Sequence, residues 1–330
     1  MIISGLIQFS DKIYKFYFHT PYVLSQIFLI LLLAFMNVSE CGRADIHVDR
    51  NTDLSGNHIE EIKAETFQNL SNLTILIFYA NDIKEIEADT FRNLSSLTYL
   101  ELANNDIKAI KADAFRNLPS LTRLLLYSNE ITEIKADTFK NLSSLTHLYL
   151  GYNDIKEIRA DTFRNLSSLT HLYLRSNDIK EIKSNTFRNL SSLTHLELSS
   201  NDIKEIKADT FRNLSSLTEL YLHDNKITYI QRSIFENLPN LEILNLRNNR
   251  IQNYEDGAFL YLPSITHIDL RNNNGMNCGC HLPAFINYTN TMFNRKVSVE
   301  GGCQTDSSNN QSKVIPIMEY SECQNYSLFQ

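Results

Sequence analysis

The chain of 330 residues contains no tryptophan, and between residues 42 and 277 it contains no cysteine. It has no excess of positive charge either, since 31 Lys and Arg stand against 38 Asp and Glu for a formal net charge of −7. Ser, His and Asp are plentiful, but nothing forms a nucleophile motif, a phosphate-cradling glycine loop or a clustered acid pair. Those absences exclude whole classes. With no such motif and no closed pocket expected, catalysis and a bound cofactor are not anticipated. Lys, Glu, Arg and Asp interleave, as in residues 177–183, which describes a solvated face rather than the basic patch of a nucleic-acid binder, so no nucleic-acid partner is expected. Only one long apolar run occurs, residues 22–36, preceded by Lys12 and Lys15 and followed by small residues near Gly42 and Ala44. This reads as a secretory signal, and it is shorter than the ~20 residues that cross a bilayer comfortably. No stop-transfer helix, lipid-anchor signal or signalling domain is expected after it.

What the chain has in place of these is a 24-residue unit repeated in phase from Asp49 to Asn272. Segments starting at Leu73, Leu97, Leu121, Leu145, Leu169, Leu193, Leu217 and Leu241 share L-x-x-L-x-L-x-x-N-x-I-x-x-I-x-x-x-x-F-x-x-L-x-x. Asn57, Asn81, Asn105, Asn129, Asn153, Asn177, Asn201, Asn225, Asn249 and Asn273 keep that spacing without a slip. So does the phenylalanine series from Phe67 to Phe259. This is a leucine-rich repeat. One unit has too little apolar surface to fold alone and must bury its Leu, Ile and Phe against its neighbours. Alternation of Leu148 and Leu150 with His147 and Tyr149 predicts a short strand with one face inward, and repetition makes it a parallel sheet. The Asn153 amide is placed to satisfy buried backbone at the bend and in the adjacent unit. The return segment, Ile155, Ile158, Phe163 and Leu166, has spacings that suit a turn or two of helix or 3₁₀ on the convex side.

The expected class is therefore α/β, a horseshoe-shaped solenoid with a parallel concave sheet on the order of 45 Å along its axis. Residues 1–44 are assigned to a signal peptide or signal anchor, 45–272 to about ten repeats, and 273–330 to a cysteine-rich cap. Cys278, Cys280, Cys303 and Cys323 crowd into that cap, where the last repeat would otherwise expose the inside of the stack. Four cysteines allow three pairings, and Cys278-Gly-Cys280 lacks the second close pair that a zinc site would show.

Comparison of the repeats with one another points to where recognition is written. Residues 145–168, 169–192 and 193–216 are close to copies, yet the strand changes from His147, Tyr149, Gly151 and Tyr152 to His171, Tyr173, Arg175 and Ser176, then to His195, Glu197, Ser199 and Ser200. These positions are expected to point out of the concave sheet. The same face collects Ile75, Ile77, Tyr79, Tyr99, Leu125, Tyr127 and Tyr221, and exposed aromatics in columns suit a protein-binding surface. His147, His171 and His195 fall in one outward column, a place where a metal or a pH-dependent contact could form, although a copied exposed residue explains them more simply, and no metal is assigned. Towards the C-terminal end, His223, Asp224, Arg247, Asn248, Asp269 and Arg271 form a charged rim that could orient a partner. N-x-S/T sequons begin at Asn69, Asn72, Asn93, Asn141, Asn165, Asn189, Asn213, Asn287, Asn310 and Asn325.

The repeat signature and Asn277-Cys278-Gly-Cys280 followed by Cys303 and Cys323 resemble the typical class of extracellular leucine-rich repeat proteins, which includes Toll-like receptor ectodomains, small leucine-rich proteoglycans and variable lymphocyte receptors. The likeness covers residues 49–323. It implies bridges Cys278 to Cys303 and Cys280 to Cys323, and a binding module without chemistry of its own. Expected partners are a protein ligand or a receptor ectodomain, with a homodimer or matrix contact as the adhesive alternative and a membrane only if residues 22–36 are retained. Two features depart from the family: Cys41 alone precedes the first repeat, and the C-terminal cap has no Trp, whose volume Phe285 could take. Cys41 is open to three readings, as a residue lost with the signal, as a free or intermolecular thiol, or as the remnant of a missing cap.

Overall fold

The computed structural model describes residues 50–63, 66–260, 262–293, 296–304 and 314–319. The apolar run, Cys41, Cys323, Asn310 and Asn325 lie outside them. Ten units each contribute one strand to a single parallel sheet: Asn51–Asp53, Ile75–Ile77, Tyr99–Glu101, Arg123–Leu125, His147–Tyr149, His171–Tyr173, His195–Glu197, Glu219–Tyr221, Ile243–Asn245 and His267–Asp269. Ser298–Glu300 extends it as an eleventh. The register is in phase throughout, so that Leu148 lies beside Leu172 and Tyr149 beside Tyr173. Period-two alternation then sends the central Leu of every strand inward and its neighbours outward. Leu148, Leu172, Leu196 and Leu220 are fully buried, while the flanking side chains are partly exposed.

Behind the sheet the return segments bury Ile155, Ile158, Phe163 and Leu166 and their equivalents. Phenylalanine rings form a spine along the solenoid, with consecutive centroids 5.9 Å apart at Phe67–Phe91, 6.0 Å at Phe91–Phe115 and 6.4 Å at Phe163–Phe187. On the sheet side the corresponding spacings are shorter, 4.3 Å for His147–His171 and 4.5 Å for Tyr149–Tyr173. A stack that is wider along its phenylalanines than along its strands curves with the sheet on the inside. The concavity thus follows from putting the bulkiest core residue on the return side.

The helix or 3₁₀ turn expected there is replaced by successive turns. Leu94 N–H reaches Phe91 O at 3.1 Å and Leu97 N–H reaches Leu94 O at 3.0 Å. Left-handed backbone at Asp89, Asp113, Asn185 and Asp209 stops the turns of those units from propagating into helix. Neighbouring return segments pair in short parallel runs, Glu85–Ile86 with Ala109–Ile110 and Tyr229–Ile230 with Asn253–Tyr254. The helix described in the chain, His281–Phe293, belongs to the cap. The cap is fastened by Cys278–Cys303, and it buries Phe285. Cys280 is also disulfide-bonded, and its expected partner Cys323 lies outside the described residues.

Each ladder asparagine does what its position requires. Asn153 accepts the N–H of Ile131 in the preceding unit at 3.0 Å, and its amide nitrogen donates to Leu126 O at 3.0 Å and to its own unit's Leu150 O at 3.1 Å. Asn105, Asn129, Asn177, Asn201, Asn225 and Asn249 repeat the set. A second ladder runs through the threonine after the first leucine, where Thr98, Thr122, Thr146, Thr170, Thr194 and Thr218 each donate a hydroxyl to the carbonyl 24 residues before. Lys–Glu and Arg–Glu pairs such as Lys183–Glu157, Lys207–Glu181 and Arg159–Glu133 link units on the outside; being exposed, they contribute little. Replacing Asn153 by Ala strands Ile131 N–H away from water and leaves Leu126 O and Leu150 O with one amide donor each, from Asn129 and Asn177, at a cost of roughly 1–3 kcal/mol. Urea unfolding of the full chain is expected to show that loss, and a change within about 0.5 kcal/mol would mean that the ladder is dispensable.

Candidate functional site

The outward residues of the ten strands form three columns on the concave face, and the structure brings most of the expected site residues into one continuous strip. His147 and His171 stack at 4.3 Å with an interplanar angle of 8°, and His195 follows at 5.5 Å. Tyr149 and Tyr173 stack at 4.5 Å and 6°, and His195 lies between Tyr173 and Tyr221 at 5.0 and 5.2 Å. Because ring normals run along the solenoid axis, neighbours cover one another's faces. The strip therefore presents ring edges, hydroxyls and imidazole nitrogens to solvent. Parallel stacking also aims the imidazole nitrogens in similar directions rather than at one point, and among the described residues no group of three or more His, Cys, Asp or Glu is arranged to hold a metal.

Carboxylates frame the strip. Tyr99 Oη donates to Glu101 Oε2 at 2.7 Å and Tyr221 Oη donates to Glu219 Oε2 at 2.8 Å. His195 Nδ1 lies 3.0 Å from the same Glu219 oxygen, and Glu197 Oε1 accepts the backbone N–H of Ser199 at 2.9 Å. Burial, followed by its bond to Glu101, raises the Tyr99 phenol, and burial with Glu219 does the same to Tyr221. Tyr173 is pushed up to about 12 by burial first and then by Tyr149 and the two glutamates. These tyrosines are hydrogen-bond donors at any physiological pH. His147 and His171 are lowered, by burial first, then by the next imidazole in the column, with Arg123 adding to both. On the concave face they are neutral rings at neutral pH.

Tyr79 and Tyr152 are exposed, 37% and 49%, as is Arg175, whereas Ile75, Ile77, Tyr99, Leu125 and Tyr127 are half-buried. Arg175 sits over the Tyr152 ring, 5.1 Å from its centroid. Two members of the variable series are buried, not exposed. Ser199 is fully buried, and Gly151 is covered by Arg175, whose Cγ and carbonyl oxygen lie 3.1 Å from where a Cβ would stand. At this column, where the strand gives way to the bend, a small side chain is overlaid by the next unit and only a large one emerges. Asp269 likewise leaves the expected charged rim, for it is buried and gripped by Arg271, which also reaches Glu300 at 2.8 Å. That group ties the last repeat to the cap strand. Burial works against the Asp269 charge, but the Arg271 hydrogen bonds outweigh it and hold the carboxyl below its ordinary value.

The strip also contains Glu101, Arg123 and Glu219, which reading the sequence for aromatics passes over. Their signal was available, since they occupy the same outward positions as the tyrosines and histidines. Sequon residues Asn69, Asn72, Asn141, Asn165, Asn189, Asn213 and Asn287 are exposed, and Asn93 is half-buried.

Tyr152 stands apart in its backbone. The residue before each ladder asparagine is left-handed throughout, and elsewhere it is Gly56, Ala80, Asn104, Ser128, Ser176, Ser200, Asp224, Asn248 or Asn272. At Tyr152, φ is +54° with a large aromatic side chain, a conformation that costs roughly 1–2 kcal/mol. Tyr152→Asn is expected to stabilise the chain by about 0.5–1 kcal/mol, the Arg175 contact offsetting part of the relief. Thermal unfolding checks it, and a lower melting temperature would show that the ring is held there by packing.

The Leucine rich repeat family matches residues 50–107, 72–131 and 119–179, and the BspA type Leucine rich repeat region, in six copies, matches residues 156–277. No curated protein matches the chain significantly. Among solved structures, the chain is similar to one in the TLR13-ssRNA13 complex, with a TM-score of 0.64 and 31% identity over 67% of this chain and 32% of that one. It thus spans about a third of that protein's length. A chain of the octameric complex of Latrophilin 3, Unc5D and FLRT2 (LRR) matches with a TM-score of 0.63 and 25% identity over 76% of this chain and 75% of that one. The Toll–Spatzle complex of Drosophila shares the fold, with a TM-score of 0.62 and 21% identity over 80% of this chain and 37% of that one. In-phase strands, asparagine ladder and phenylalanine spine agree with these matches: the chain belongs to the leucine-rich repeat proteins and resembles Toll-like receptor ectodomains.

Proposed function

We propose that this protein is a non-enzymatic, extracellular recognition module that binds a protein partner along the concave sheet between Ile75 and Tyr221. The observation that carries the reading is the strip of stacked Tyr and His edges, half-buried and rich in hydrogen-bonding groups, on an otherwise rigid sheet. Tyrosine offers large contact area for little lost rotamer freedom, and here its freedom is already spent in stacking. The similar solenoids were solved in complexes, with proteins in the FLRT2 assembly and with single-stranded RNA in the case of TLR13. Formal charge alone does not separate those two ligand classes. The local arrangement favours protein, because base stacking needs free ring faces and neighbouring rings cover those of the stacked residues between His147 and Tyr221.

Secretion is part of the proposal. The Cys278–Cys303 bridge suits an oxidising compartment, and the exposed sequons suit passage through the secretory route. Among the described residues no helix is long and apolar enough to cross a membrane. Full-length chain expressed in animal cells is expected in the medium, with an N-terminus near Cys41 or Asp45 by mass spectrometry; a membrane-bound product retaining residues 22–36 would convert the module into a signal-anchored surface protein. For the site, Tyr149→Ala, Tyr152→Ala and Tyr173→Ala together are expected to weaken partner capture by at least about 100-fold while leaving secretion intact. Unchanged capture would place the contact elsewhere on the solenoid.

A further inference from the structure

The concave strip is not uniform in charge. At the outward positions of the strands from Tyr99–Glu101 to Glu219–Tyr221, the ionised groups are Glu101, Glu197 and Glu219 against Arg123. Two of the carboxylates are neighbours. Parallel register sets Glu219 beside His195 and Tyr221 beside Glu197, so the glutamates lie diagonally across adjacent strands, about 7–8 Å apart at the backbone. The other diagonal is filled by the His195 and Tyr221 rings, 5.2 Å apart, so a cationic group reaches both carboxylates from the solvent side, over those ring edges.

Resting on the reading of the concave sheet as a protein-binding surface, we propose that Glu197 and Glu219, with Tyr173, His195 and Tyr221, form a seat for a lysine or arginine side chain on a basic segment of the partner. Both carboxylates are already aimed. Ser199 N–H holds Glu197, while Tyr221 Oη and His195 Nδ1 hold Glu219, whose side chain is still 37% exposed. Because the Tyr221 hydroxyl proton is given to Glu219, its oxygen lone pairs are left to accept an N–H from the incoming cation. The rings beside the seat exclude water from its flanks, which strengthens a charge-assisted hydrogen bond. A phosphate backbone would meet repulsion from the same pair.

The test uses the full chain as bait for random linear peptides displayed on phage. Lysine or arginine is expected to be enriched in the peptides recovered. Glu197→Gln with Glu219→Gln keeps the acceptors for Ser199 and Tyr221 while removing charge, and should weaken those peptides by at least about tenfold. Glu219→Lys should shift selection towards acidic peptides. Recovery of peptides without basic residues, or equal binding to the double Gln variant, overturns the seat. So does single-stranded RNA that binds the chain and binds the double Gln variant more tightly. The tyrosine triple variant separates the two levels: if it binds the peptides as well as the natural chain does, the concave-face reading fails, whereas if it loses them and the Gln variant does not, only the carboxylate seat fails.

Discussion

A chain that bends twice within every unit of a dry stack leaves peptide groups where water cannot reach them, and one asparagine side chain per unit supplies their partners. Its amide carries a separate acceptor oxygen and a nitrogen with two donor hydrogens, so it accepts from one direction and donates in another. Asn153 spans from the N–H of Ile131 to the carbonyls of Leu126 and Leu150, and so closes the bend in its own unit while fastening it to the one before. Leucine burial drives the stacking, but leucine is indifferent to register. The asparagines make register obligatory, because a slip by even one residue would leave several buried groups unpaired.

Rigidity on one face then makes the other useful. The phenylalanine spine sets a wide pitch on the return side, the strands keep a narrow one, and outward side chains are brought to ring-stacking distance. Tyr149 and Tyr173 are stiff because they lean on each other, not because either is buried in the core. The threonine ladder adds a rail beside the strip. The outward residues thus inherit order from a framework that they do not help to build, which is how this face can vary between near-identical units without loss of the fold.

Fold and period were legible in the sequence because each core position is read many times over: ten asparagines and nine phenylalanines in phase leave little freedom. The alternation rule likewise placed His147, Tyr149, His171 and Tyr173 on the correct face. It failed at Ser199, Gly151 and Asp269, where outward direction does not mean exposure. Whether a side chain there is covered depends on the size of the residue one unit later, Arg175 over Gly151 for example, and on specific pairs such as Asp269 with Arg271. Helix on the return segment was misjudged for a related reason, since apolar spacings of three to five fit chained turns as well as helix, and left-handed Asp and Asn residues decide between them. Glu219 was visible as a letter, but its contact with His195 depends on a cross-strand neighbour that a single repeat does not contain.

The side-chain bonds of the two ladders have a further property: each inter-unit one connects residues separated by nearly one repeat length, 22, 24 or 27 positions, and the same set recurs from Asn105 to Asn249. An arrangement of that kind has translational symmetry in its bonding as well as its shape. Loss or gain of one whole unit rejoins every acceptor to an equivalent donor, whereas loss of any other length leaves the seam unmatched. The length of the concave strip is therefore adjustable in steps of a single strand, and the protein is better regarded as a one-dimensional crystal with a sealed end than as a domain of fixed size.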